Sequence, residues 1–177
     1  MDFEAYLDRM GTETTGRYDV TPLFADPAIF GALRSDLRSG AIDDPTTVVG
    51  IDALGFVIGG ALATELGVGF VPVRKGGKLP YPEAALLRRE FTDYSGTSKA
   101  LELHPGALGT DDRALVVDDW VETGAQMRAA TELVEAAGAS VAGIAAVGVD
   151  RNEDTEPLFE RYAVHGLQPR DTGQTDP

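Results

Sequence analysis

The stretch Ala114-Leu115-Val116-Val117-Asp118-Asp119-Trp120-Val121-Glu122-Thr123-Gly124-Ala125-Gln126 decides how this 177-residue chain is read. Residues 114–117 are apolar and predict a buried strand, and two adjacent aspartates stand at its end. A turn is expected over Trp120 to Ala125, then a helix from Gln126 to Ala137. That helix carries Met127, Ala130, Leu133 or Val134, and Ala137 at helical spacing, and Gly138 stops it. The N–H groups that open a helix lack carbonyl partners of their own and can receive a phosphate. Carboxylates at the strand tip can accept hydrogen bonds from vicinal sugar hydroxyls. A plainer description also fits: a buried strand, a capped helix and two solvated aspartates.

Moving outward, strand and helix signals alternate. Thr46 to Ile51 is β-branched and apolar and predicts a strand, followed by a helix over Val57 to Leu66. Val68 to Val73 predicts a second strand that ends in a basic loop from Arg74 to Pro80. Ala100 to His104 is strand-like, and Ser140 to Val149 predicts another buried strand. Beyond it come an acidic turn (Asp150 to Asp154), a short helix (Glu156 to Tyr162) and an edge strand (Ala163 to Leu167). Upstream, a short helix is expected over Phe3 to Met10. Another is expected from Pro27 to Arg38, with Ile29, Leu33 and Leu37 on one face. The alternation predicts an α/β fold: a mostly parallel twisted sheet flanked by helices, with ligands at the carboxyl ends of its strands. One domain over 1–177 is expected, with an N-terminal hood over about 1–27 and a polar tail over about 169–177.

Composition narrows the function classes. The chain has 29 acidic and 15 basic residues, for a net charge of -14. Lys75, Lys78 and Lys99 are its only lysines. A surface this acidic repels nucleic acid unless its cations cluster into a binding face, so no nucleic-acid partner is expected. Abundant acid with scarce lysine also suits a salt-rich cytoplasm, and a halophilic source is expected. There is no cysteine, which excludes disulfides and thiolate metal sites. The two histidines show no metal spacing. No apolar run reaches the ~18 residues of a membrane span, and Met1-Asp2-Phe3-Glu4 lacks a basic leader. The expectation is a soluble cytoplasmic protein with no membrane contact.

Two segments together resemble the type I purine phosphoribosyltransferases. The Asp118-Asp119 stretch with Thr123-Gly124-Ala125-Gln126 resembles that family's PRPP motif. The order Asp52-x-x-Gly55-Phe56, then Leu66-Gly67-x-Gly69-Phe70 and Arg74-Lys75-x-Gly77-Lys78-Leu79-Pro80, is similar to adenine phosphoribosyltransferases and to the archaeal hypoxanthine/guanine phosphoribosyltransferase-like proteins. The resemblance implies the type I fold with a small hood and a flexible lid loop. It assigns the ribose to Asp118 and Asp119, and the 5′-phosphate to Glu122, Thr123, Gly124, Ala125 and Gln126. Pyrophosphate falls to Ala53, Leu54, Arg74, Lys75 and Lys78, the lid to Asp93 and Tyr94, and the base to Tyr18, Asp19 and Val20. For Tyr18, packing in the hood and contact with the base are equally open. The lid region reads equally as a β-hairpin. Mg2+ is expected through PRPP and pyrophosphate oxygens rather than in a protein cage, and a homodimer is implied.

The sequence also departs from the family pattern. Leu54 replaces an arginine, Gln126 replaces a threonine, and Glu122 adds negative charge, read here as turned to solvent. Trp120 is bulkier than the usual aliphatic residue and is placed beside the base. Two functions stay open. One is a purine salvage enzyme acting on adenine or on hypoxanthine and guanine. The other is a catalytically weak PRPP- or nucleotide-binding regulator.

Overall fold

A computed structural model describes residues 1–11, 18–40, 44–92 and 96–168. Seven strands form one sheet: β1 (Thr47–Ile51), β2 (Gly69–Lys75), β3 (Leu87–Thr92), β4 (Ser98–Leu103), β5 (Arg113–Val121), β6 (Ser140–Val149) and β7 (Val164–Gly166). Their spatial order is β3-β4-β2-β1-β5-β6-β7. The five strands from β2 to β7 run parallel, while β3 and β4 form an antiparallel hairpin added at the β2 edge. The helices are α1 (Phe3–Leu7), α2 (Pro22–Ala25), α3 (Pro27–Ser39), α4 (Leu54–Leu66), α5 (Ala125–Ala136) and α6 (Glu156–Arg161).

Side chains of the parallel strands alternate between two cores, as the two-residue period of a strand requires. Val48, Leu115, Val117, Ala145 and Val147 pack with Ile58 and Leu62 of α4, Leu33 and Leu37 of α3, and Tyr6 of α1. Val49, Ile51, Val116, Ile144 and Ala146 pack with Met127, Ala130, Leu133 and Val134 of α5. The central strands are therefore covered on both faces and read as unbroken apolar runs. The stripe Ile29, Leu33 and Leu37 is buried as its four-residue spacing predicts. Asp26 caps α3 by accepting from the N–H groups of Ala28 and Ile29.

Three boundaries differ from the sequence reading, each for a tertiary reason. The turn expected at Trp120 begins later, because β5 continues through the aspartates to pair Trp120 with Gly148 and Val121 with Val149. Arg74 and Lys75 are strand residues rather than loop, since β4 pairs with them through Glu102 and Leu101. Helix α4 begins at Leu54 rather than Val57. Gly55 allows this early start: a Cβ there would lie 2.6 Å from the Val117 carbonyl oxygen. In the segment read as lid or hairpin, the described residues pair as hairpin arms from Leu87↔Leu103 to Thr92↔Ser98. At its base the buried Glu102 accepts from Arg88 Nη1 at 2.6 Å and from the Gly77 N–H at 2.9 Å.

Candidate active site

The carboxyl ends of β1 and β5 and the amino ends of α4 and α5 enclose a cavity of about 400 Å³. Asp118 and Asp119 stand on the β5 side of it, and Ala53 and Leu54 on the β1 side. The Asp52–Ala53 peptide is cis. Asp118 is only 3% exposed. Its Oδ2 accepts from Gln126 Nε2 at 2.8 Å, and its Oδ1 accepts from the Asp119 N–H at 3.0 Å. Burial, with the negative charge of Asp119 added, pushes the Asp118 carboxyl well above the ordinary carboxylate range, while the Gln126 hydrogen bond opposes that shift.

Glu122, Thr123 and Gly124 link β5 to α5 along one wall. Gly124 sits in the left-handed region at φ 69°, a conformation glycine adopts without side-chain strain, and this turn aims the α5 amino end into the cavity. Segments distant in sequence brace the loop. Asn152 Nδ2 donates to the Glu122 carbonyl at 2.9 Å, and Arg128 Nη1 donates to the carbonyls of Thr123 and Asp154. Glu122 is half-buried and is among the residues that line the cavity. One N–H of the Gln126 amide is committed to Asp118.

The other sequence-assigned residues divide. Tyr18, Lys75, Ala125 and Gln126 line the cavity. Arg74 does not; its Nε donates to Asp52 Oδ2 at 2.9 Å, so it holds the 52–54 loop from outside. Lys78 is also absent from the wall. Val20 is fully buried in the α1–α4 core. Asp19 accepts from the N–H and hydroxyl of Thr21, a local turn that holds its carboxyl below the ordinary range. Neither Asp19 nor Val20 is part of the cavity wall. Asp93 and Tyr94 lie outside the described residues. Tyr18 stacks on Trp120 with ring centroids 4.8 Å apart.

Residues 26–168 match the phosphoribosyl transferase domain. The chain belongs to this family. It is 44% identical over 151 residues to adenine phosphoribosyltransferase of Methylococcus capsulatus, covering 84% of this chain and 85% of the relative. The adenine phosphoribosyltransferase structure from Rhodothermus marinus superposes with a TM-score of 0.81 at 32% identity, covering 93% of this chain and 96% of that one. The Giardia lamblia enzyme, solved with 9-deazaadenine, gives a TM-score of 0.81 at 28% identity and covers 94% and 97%. The phosphoribosyltransferase fold expected from the two motifs is thus the fold observed.

This phosphoribosyltransferase site contains wall residues that the sequence reading gave no role. Asp52 directly follows β1, and position at a strand's carboxyl end is the signal that marks it. Asp150 follows β6 in the same way and lines the cavity. Phe91 reaches it from the hairpin. Asn152 is not in the wall: its Nδ2 donates to the Glu122 carbonyl across 30 residues, while its Oδ1 accepts from the N–H groups of Asp154 and Thr155.

Proposed function

We propose that this chain transfers the 5-phosphoribosyl group of PRPP to adenine, releasing pyrophosphate and forming the nucleoside monophosphate. One observation carries the reading: a single cavity sets the acidic pair of β5 between the α5 amino end and the 52–54 loop. Sugar hydroxyls, 5′-phosphate and pyrophosphate then each have a separate wall. A ring nitrogen of the base attacks the anomeric carbon as the bond to the pyrophosphate oxygen breaks, and the proton on that nitrogen passes to solvent. No protein nucleophile is needed. The site's work is positioning, charge stabilisation and exclusion of water. The relatives described above are adenine phosphoribosyltransferases, which favours adenine over hypoxanthine or guanine as acceptor.

The donor set fits Mg2+ carried by the substrate. Asp52, Asp118, Asp119, Glu122 and Asp150 give the cavity an acidic lining, with Lys75 and Lys99 opposing it. No cluster of three metal-ligating side chains occurs among the described residues. Such a wall tolerates PRPP best when the cation offsets the phosphate charge.

The regulator reading draws on Glu122 in the wall and on the Gln126 amide N–H spent on Asp118. Calorimetry with PRPP and Mg2+ in molar potassium chloride separates the readings. Binding that is consumed as turnover on adding adenine supports the enzyme. Binding that persists unchanged with adenine, hypoxanthine, guanine and xanthine selects the regulator.

A further inference from the structure

We propose that Trp120 and Asp150 form the element that selects the base, Trp120 as the stacking wall and Asp150 as the acceptor that favours a purine with a 6-amino group. The inference rests on the phosphoribosyl-transfer reading and adds to it the residues that choose the acceptor.

Trp120 is held from two sides. Its Nε1–H donates to Asp150 Oδ1 at 3.0 Å. Its ring lies over Gly148, where a Cβ would come within 2.5 Å of the indole carbons, so only glycine leaves room for it. Its exposed face already takes a flat ring: Tyr18 stacks there at 4.8 Å with planes 30° apart. Trp120 is therefore a fixed surface that binds π systems, placed beside the sugar-binding aspartates in the same cavity. Tyr18, half exposed on the hood, is the partner that gives way to a purine.

Asp150 is equally fixed. Its N–H donates to the Val121 carbonyl at 2.8 Å, and its carbonyl accepts from Thr155 Oγ1 at 2.7 Å. Its carboxylate only accepts, and the indole takes one oxygen. The remaining acceptor capacity belongs to a residue of the cavity wall. A base lying on Trp120 meets a carboxylate at its edge. Adenine offers an amino group there. Hypoxanthine offers a carbonyl, which places acceptor against acceptor and leaves both unpaired.

The test is Asp150→Asn. Asparagine keeps an acceptor for the indole and adds a donor that suits a carbonyl. The ratio of kcat/KM for adenine over hypoxanthine falls about 10- to 100-fold, the range of one charged hydrogen bond, and any change in PRPP binding cancels in that ratio. Trp120 is the chain's one tryptophan, so an unaltered emission spectrum shows that the indole stays anchored. Where the emission does shift, the ratio is compared between Trp120→Phe and the Trp120→Phe/Asp150→Asn double variant, in which there is no indole hydrogen bond to lose. A ratio unchanged in the informative pair overturns the inference and leaves the transfer reading intact, because the parent protein still turns over adenine. Failure of the parent protein to use any purine overturns the transfer reading, and this inference with it.

Discussion

Asp118→Asn lowers kcat/KM for PRPP by about 10²- to 10⁴-fold and at the same time stabilises the fold near neutral pH. The catalytic loss is expected from the proposed ribose contact, in which a carboxylate offers vicinal hydroxyls two charged hydrogen bonds, each worth about 1.5–3 kcal/mol. The gain in stability follows from burial. Asp118 is held in the folded chain with its pKa raised, first by desolvation and then by Asp119. Below the ordinary aspartate range both folded and unfolded chains carry the proton, and Asp118 costs nothing. As pH rises through that range the unfolded chain releases its proton first, so stability falls until the folded-state value is passed. Above it the full penalty remains. Asparagine keeps the shape, can pair with a flipped Gln126 amide, and removes the charge. Melting curves at neutral pH show a higher Tm for the variant, by about 2–4 °C per kcal/mol relieved. The two proteins converge under strongly acid conditions. A variant less stable than the parent at neutral pH contradicts the assignment of Asp118 as a strained functional acid.

Gly55→Val loses both fold stability and activity. The added Cβ lies 2.6 Å from the Val117 carbonyl oxygen and 3.2 Å from Asp118 Cα, backbone atoms of a central strand, and 3.2 Å from the buried Asp118 Oδ1. The start of α4 must lift from the tip of β5, and overpacking of this kind costs about 1–3 kcal/mol, a Tm loss of about 2–12 °C at this chain length. The same shift carries the 52–54 loop away from Asp118, and a displacement of ~1 Å in a positioned site costs on the order of 10²-fold in rate. Gly60→Ala is the control. It lies on the same helix with nothing within 4 Å of the added carbon. That variant keeps activity and gains about 0.5–1 kcal/mol from helix propensity. Equal behaviour of the two variants would show that the close α4–β5 approach does not shape the site.

Local sequence carried much of this architecture. The apolar runs of β1, β5 and β6 and the α3 stripe are legible because burial on both faces, or on one helical face, writes a period into the chain. The loop before α5 is legible because a glycine at positive φ before a helix leaves a composition signal. Where the reading stopped short, a partner strand decides. The end of β5 depends on β6 and the end of β2 on β4, and neither partner is visible from the residues that they extend. Val20 illustrates the limit of transfer by resemblance. Its position in the hood motif suggested the base, and its apolar side chain is buried among the helices, which leaves only its backbone to face a ligand. Gln126 shows another limit. Its sequence position marked a lost hydroxyl, whereas its side-chain direction makes it the hydrogen-bond partner of Asp118. Trp120, Asp150 and Tyr18 meet only through the fold, across 30 residues on one side and about a hundred on the other.

The central claim is transfer of a phosphoribosyl group to adenine in the cavity between β1 and β5. Its most direct test is to incubate the protein with PRPP, Mg2+ and adenine in molar potassium chloride and to follow phosphorus resonances and nucleotide together. The account predicts equal appearance of pyrophosphate and AMP, with PRPP stable when adenine is withheld. PRPP that remains intact with adenine present, in a protein shown to be folded, contradicts it.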